Sequence, residues 1–139
     1  MKTPHKKLKC ILLVDDDEFT NSLHKMVIED VGISRHIEIA ETVDLALDLL
    51  ECPREQDCKT PDLIFLDLNI PGMNGWDFLD SYRELKKNSS SKSLIIILSN
   101  SSNPYDKKKA EGYSEVAGFR SKPLTDLMIH EIMDHYFHA

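Results

Sequence analysis

Five short apolar runs recur along the chain: Cys10–Val14 (CILLV), Ile37–Ala40 (IEIA), Leu63–Leu66 (LIFL), Leu94–Leu98 (LIIIL) and the weaker Ala117–Phe119 (AGF). Three of them do not alternate with polar residues, as expected of strands covered on both faces in a parallel sheet. The stretches between them have helical spacing. Phe19, Leu23, Met26, Val27 and Val31 fall at i, i+4, i+7, i+8 and i+12. Leu45, Ala46, Leu49 and Leu50 follow Thr42, a good N-cap. Trp76, Leu79, Tyr82 and Leu85 step by three along a third helix, expected from about 74 to 85. A mostly polar fourth helix is expected over 105–113. A fifth begins after Pro123 and carries Leu127, Met128 and Ile132. Alternation of strand and helix five times predicts an α/β doubly wound fold with helices on both faces of the sheet.

Composition narrows the class without changing that picture. The 139 residues suit one domain, expected over 1–139 with a core of about 9–137 and no output domain attached. At this size no disulfide or structural metal is needed for stability. A net charge of −7 argues against nucleic acid or an anionic membrane as a general partner. No run is long enough for a signal-peptide core or a membrane span. Of the three cysteines, Cys10 is expected in the core, and Cys52 and Cys58 as free thiols in a polar loop. That usage predicts a reducing, cytoplasmic setting.

In open α/β sheets, ligands collect at the carboxyl ends of the strands. The first run ends in Asp15, Asp16, Asp17 and Glu18, the third in Asp67, Leu68 and Asn69, the fourth in Ser99 and Asn100, and the fifth leads to Lys122 and Pro123. Adjacent carboxylates repel, by about 4 kcal/mol for a unit pair at about 4 Å and an effective dielectric of about 20. A hard divalent cation relieves that strain, and Mg²⁺ suits one or two carboxylates, a carbonyl and waters. Lys122 and the Ser99 hydroxyl would then serve an anion such as a phosphoryl group. Either residue alone is usually a solvated charge or a turn. The joint pattern, one polar group closing each strand in order, is what points to a phosphoryl-handling site.

The segments LLVDDDE, LIFLDLNIPGMNGWDFL, IIILSNS and GFRSKPL resemble the receiver domains of bacterial two-component response regulators, over essentially the whole chain. The resemblance implies a flavodoxin-like (βα)5 sandwich with parallel strand order 2-1-3-4-5. It implies Asp67 as phosphoacceptor. Asp16 becomes a direct Mg²⁺ (or Mn²⁺) ligand, Asp15 a ligand acting more through water, and the Asn69 main-chain carbonyl a further one. Ser99, Lys122 and Phe119 become the phosphoryl-binding and switch residues, and Lys122–Pro123 a cis peptide. Asn100 stands where the family carries a very small residue, and is expected to narrow access to Asp67. The implied function is that of a stand-alone regulator, not an enzyme beyond its own phosphorylation and dephosphorylation. A histidine kinase or phosphotransfer protein would be the donor. An unknown downstream protein would be met through the surface of the fourth helix, fifth strand and fifth helix, by a monomer or a phosphorylation-dependent dimer.

Other readings weigh less. A phosphatase of the haloacid dehalogenase type wants D-x-D near the chain start, whereas Asp67-Leu68-Asn69 lies on the third strand. A nucleotide or flavin module wants a Gly-rich or hydroxyl-rich loop where the chain has DDDE. A degenerate receiver would lack part of the site. His24 is expected to be an exposed helix residue, and His130, His135 and His138 to belong to a C-terminal helix favoured by its dipole. Lys107–Lys109 is expected to be a solvated face.

Overall fold

The computed structural model describes residues 7–70, 72, 74–100 and 103–137. In chain order they form β1 (Leu8–Val14), α1 (Glu18–Val31), β2 (Ser34–Ala40), α2 (Val43–Glu51), β3 (Leu63–Leu66), α3 (Gly75–Lys86), β4 (Leu94–Ser99), α4 (Pro104–Glu111), β5 (Val116–Ser121) and α5 (Asp126–Tyr136). Caps set where the helices begin. Asp17 accepts from Thr20 N–H, Thr42 from Leu45 N–H and Thr125 from Met128 N–H. Asn74 and Asp77 bond reciprocally in a capping box. Asn103 caps α4, and Pro104 occupies a first-turn position where no N–H is missed.

The five strands are all parallel and lie in the order β2-β1-β3-β4-β5, the order the resemblance implied. Successive strand residues point to opposite faces. Leu12, Val14, Ile64, Leu66, Ile95 and Ile97 pack under α2 and α3. Ile11, Leu13, Leu63, Phe65, Ile96 and Leu98 pack under α1 and α5. Both faces are covered, so both sets must be apolar, and the runs could not alternate. β1, β2 and β5 extend beyond their apolar centres because ladder pairing carries on through polar residues such as Ser34 and Arg120.

Two expectations fail. The apolar stripe of α1 faces the core only in part: Val27 and Val31 pack against it, whereas Phe19 is 77 % exposed and Leu23 and Met26 are exposed with it. The buried face carries Asn21, His24 and Ile28 instead, so His24 is 2 % exposed rather than a surface residue. The reason is local. Asp17 caps the helix, and its first turn then aims Asn21 and His24 at the carboxyl ends of β1 and β5, where polar partners wait. The second correction concerns the thiols. Cys58, in the short 3₁₀ turn Gln56–Cys58, is joined to Cys10 of β1 by a disulfide, and Cys52 is free and exposed. The two Cα atoms lie 5.3 Å apart because that turn packs against β1, a contact between residues 48 positions apart that spacing does not reveal. Cysteine usage therefore no longer argues for a reducing compartment. Among the described residues, no helix is long and apolar enough to cross a membrane.

Candidate functional site

Strand register assembles the site. Val14 pairs with Leu66, so the residues that follow them, Asp15 and Asp67, come side by side at the point where the strand order reverses. Asp15 N–H donates to Ala40 O (3.1 Å) and Asp67 N–H to Val14 O (2.9 Å), which carries the ladder one step past the strand ends. Ser99 pairs with Ser121, and Lys122 N–H donates to Ser99 O (3.0 Å), so β4 and β5 deliver the hydroxyl and the ammonium together. Pro123 follows through a cis peptide bond.

Asp15, Asp16 and Asp67 each offer a carboxylate oxygen, and the three oxygens lie within 4.8 Å of one another. Asp15, Asp67 and Ser99 are buried, while Asp16 is exposed. The Lys122 ammonium bonds to Asp15 Oδ2 and lies 3.2 Å from Asp67 Oδ2. Asn69 N–H donates to Asp67 Oδ1 (3.2 Å), which holds the Asn69 backbone against the carboxylate. Burial pushes the Asp67 carboxyl above its usual range, and the Lys122 charge only partly opposes it. Burial also lowers Lys122, but its bond to Asp15 and the charges of Asp67 and Asp15 outweigh that, so its affinity for a proton is raised. One ammonium is thus shared by two buried acids with a third beside them. The oxygen-rich set fits a hard divalent cation.

Phe119 is half-buried on β5 and borders two grooves, one against α4 and one against α5. Asn100 is exposed directly beyond Ser99. His130 and His135 lie on α5, away from the acids, and His138 lies outside the described residues.

Three contributors were not legible as such in the sequence. Asn21 Nδ2 donates to Asp15 O (2.7 Å) and so fixes the first acid from behind. His24 Nε2 accepts from Leu124 N–H (3.1 Å), which ties α1 to the turn bearing Lys122. Both sit one turn apart on the polar stripe of α1, a signal hidden by the apolar stripe beside it. Gly75 is the third. A Cβ there would stand 2.7 Å from Asp67 O and 2.8 Å from Leu68 Cα, so only glycine lets α3 start against the loop that carries Asp67.

The model of the response regulator receiver domain matches residues 11–134. A two-component response regulator of Arabidopsis thaliana is 28 % identical over 134 residues, covering 96 % of this chain and 87 % of its own. The chemotaxis protein CheY of Halobacterium salinarum is 27 % identical over 116 residues, covering 84 % and 86 %. Among solved structures, a two-component response regulator from Cytophaga hutchinsonii superposes with a TM-score of 0.83 at 30 % identity, covering 94 % of this chain and 97 % of that one.

Proposed function

Because the chain belongs to the receiver-domain family of response regulators, whose setting is two-component phosphorelay signalling, we propose that Asp67 is its phosphoacceptor. One observation carries the reading. The Asp67 carboxylate stands at the switch point of the sheet with two further acids and an ammonium converging on it. A carboxylate oxygen would attack the phosphorus of a phosphohistidine, and the P–N bond would break as the acyl phosphate forms. Asp15, Asp16, Asp67 and the Asn69 carbonyl would hold Mg²⁺, or Mn²⁺. The ion would neutralise charge that develops on the transferring oxygens.

The chain's own groups position and respond. Asn21 and Asn69 hold the two buried acids in place. The new phosphoryl group adds roughly −1.5 to −2 charges, which draws Lys122 and the Ser99 hydroxyl toward Asp67. Phe119, lying between the two grooves that flank β5, would turn inward as the end of β4 moves, and Asn100 would govern how freely donor and water reach Asp67. The α4–β5–α5 surface would then select a downstream protein, or a second copy. The donor would be a histidine kinase or phosphotransfer protein in the cytoplasm, and exposed Phe19, Leu23 and Met26 on α1 offer it an apolar surface. The protein would act as a switch and turn over no substrate besides its own phosphoryl group.

Incubation with Mg²⁺ and acetyl phosphate should place one labile phosphoryl group on the protein, and Asp67→Asn should take up none. Equal labelling of Asp67→Asn would show that another residue is the acceptor. Lys122→Ala should still accept label but fail to shift its partner or oligomer equilibrium on size exclusion. A full response in that variant would remove Lys122 as the relay.

A further inference from the structure

The end of the sheet opposite the acids carries a second polar recess, of about 860 Å³. The two ends are separated by the length of β1, roughly 20 Å at 3.3 Å per residue. In a chain of net charge −7, this recess is lined by Lys7, Lys9, Arg35, Lys59 and Lys92 against only Asp57 and Asp62, a local excess of five minus two, or +3. One of the two acids is engaged, since Asp62 Oδ2 accepts from Lys9 N–H (2.6 Å).

Two buried groups at this wall lack what they need: Ser93 lines it, and Lys86, outside the lining, reaches it through Thr60. Ser93 lines the recess and is 7 % exposed, and its hydroxyl has no hydrogen-bond partner among the described residues. Its backbone N–H donates to Tyr82 OH (2.7 Å), so the residue is held in place with its Oγ buried and unpaired. Lys86 is also 7 % exposed. Its ammonium reaches Thr60 Oγ1 (3.2 Å), another lining residue, and no carboxylate pairs with it among the described residues. Burial and the nearby Lys59 charge both lower its hold on a proton. A buried cation beside a second cation is costly unless an anion compensates it, and a buried unpaired hydroxyl adds to that cost. The Cys10–Cys58 disulfide pins the turn that leads into Lys59 and Thr60, so this wall is built rather than loose.

We propose that this recess is a binding site for a small oligophosphate, a ligand with two or more linked phosphates. The cations stand on two walls, Lys7, Lys9 and Arg35 at the starts of β1 and β2, and Lys59 and Lys92 on the loops before β3 and β4. The space exceeds one phosphate, and a chain of them can meet both walls. A protein partner would want exposed apolar anchors, whereas the apolar lining here is limited to Pro61, Leu94 and Phe137, none of them fully exposed. Double-stranded nucleic acid would be repelled by the acidic remainder of the surface. The inference does not rest on phosphorylation of Asp67.

The test is calorimetric titration of the full chain with tripolyphosphate, and in parallel with ATP, in EDTA at fixed ionic strength. Saturable one-site binding of tripolyphosphate is expected. The Lys59→Ser/Lys92→Ser variant should weaken it at least about tenfold by loss of two nearby charges, and both residues are exposed, so the fold is spared. Lys107→Ser/Lys108→Ser on α4 makes the same change in net charge far from the recess and should bind as wild type does. Equal affinity for ATP and tripolyphosphate would assign recognition to the phosphate chain, and tighter ATP binding would add the nucleoside as a determinant. Absence of saturation, or equal weakening in the two lysine doublets, would overturn the proposal.

Discussion

Replacing Asp67 by Asn should make the protein more stable when divalent cations are absent, although it removes the residue on which function is proposed to turn. The carboxylate lies 3.2 Å from the Lys122 ammonium, an attraction of about 5 kcal/mol at an effective dielectric of about 20. Asp15, whose nearest oxygen is within 4.8 Å, repels it by at least about 3.5 kcal/mol on the same scale. Removing a buried carboxylate from water costs several kcal/mol more, taken here as about 3. The balance is about 1.5 kcal/mol against the charge, in line with the raised affinity of Asp67 for a proton. The amide of Asp67→Asn can still accept from Asn69 N–H, and Lys122 keeps Asp15 as its partner. At pH 7 in EDTA the variant should therefore melt about 5 °C higher. The sign follows from linkage: a carboxyl whose folded-state pKa is raised costs stability only when ionised. The gap should shrink as pH falls through that folded pKa, and vanish below 3.8, the ordinary value, where both states hold the proton. Magnesium at ten times its dissociation constant adds about 1.4 kcal/mol to wild type and less to the variant, which should nearly close the gap. Paired melts in EDTA and in Mg²⁺ check both statements. A variant less stable than wild type in EDTA, or an identical response to Mg²⁺ in the two proteins, would refute the reasoning.

Cutting the Cys10–Cys58 link, by reduction or by Cys58→Ser, should lower stability by up to about 4 kcal/mol on the chain-entropy account of a 48-residue loop, read as a fall in the urea midpoint. His24 is held below its ordinary 6.5, by burial first and the Lys122 charge second, so the stability it contributes is complete above that pH and declines below it. The decline has a limiting slope of about 1.4 kcal/mol per pH unit, and His24→Gln should flatten that part of the wild-type curve in urea melts between about pH 6.5 and 5. Gly75→Ala should force α3 away from the Asp67 loop and cost about 1–3 kcal/mol, as overpacking does, and it should slow labelling by acetyl phosphate as well.

Parallel strands buried on both faces leave a mark that composition can carry, and LLV, LIFL and LIIIL announced the sheet without help from pairing. The residues that close each strand were equally legible, because a strand end is a position in sequence: Asp15, Asp67, Ser99 and Lys122 could be read off before their distances were known. Strand order came only with the resemblance, since periodicity is silent about which strand lies beside which. What tertiary structure decided was facing and long-range contact. The stripe Phe19, Leu23, Met26, Val27 and Val31 has the spacing of a core face, yet α1 turns its first three members outward because Asn21 and His24 meet polar backbone at the ends of β1 and β5. Hydrophobic spacing measures the face a helix could bury, whereas a few hydrogen bonds to fixed strand ends chose the face it does bury. Cys10 and Cys58 meet because a short turn folds back under β1, and the basic recess gathers residues from five separate segments. Pairings of that kind depend on where loops return in space, and no local pattern of residue types records it.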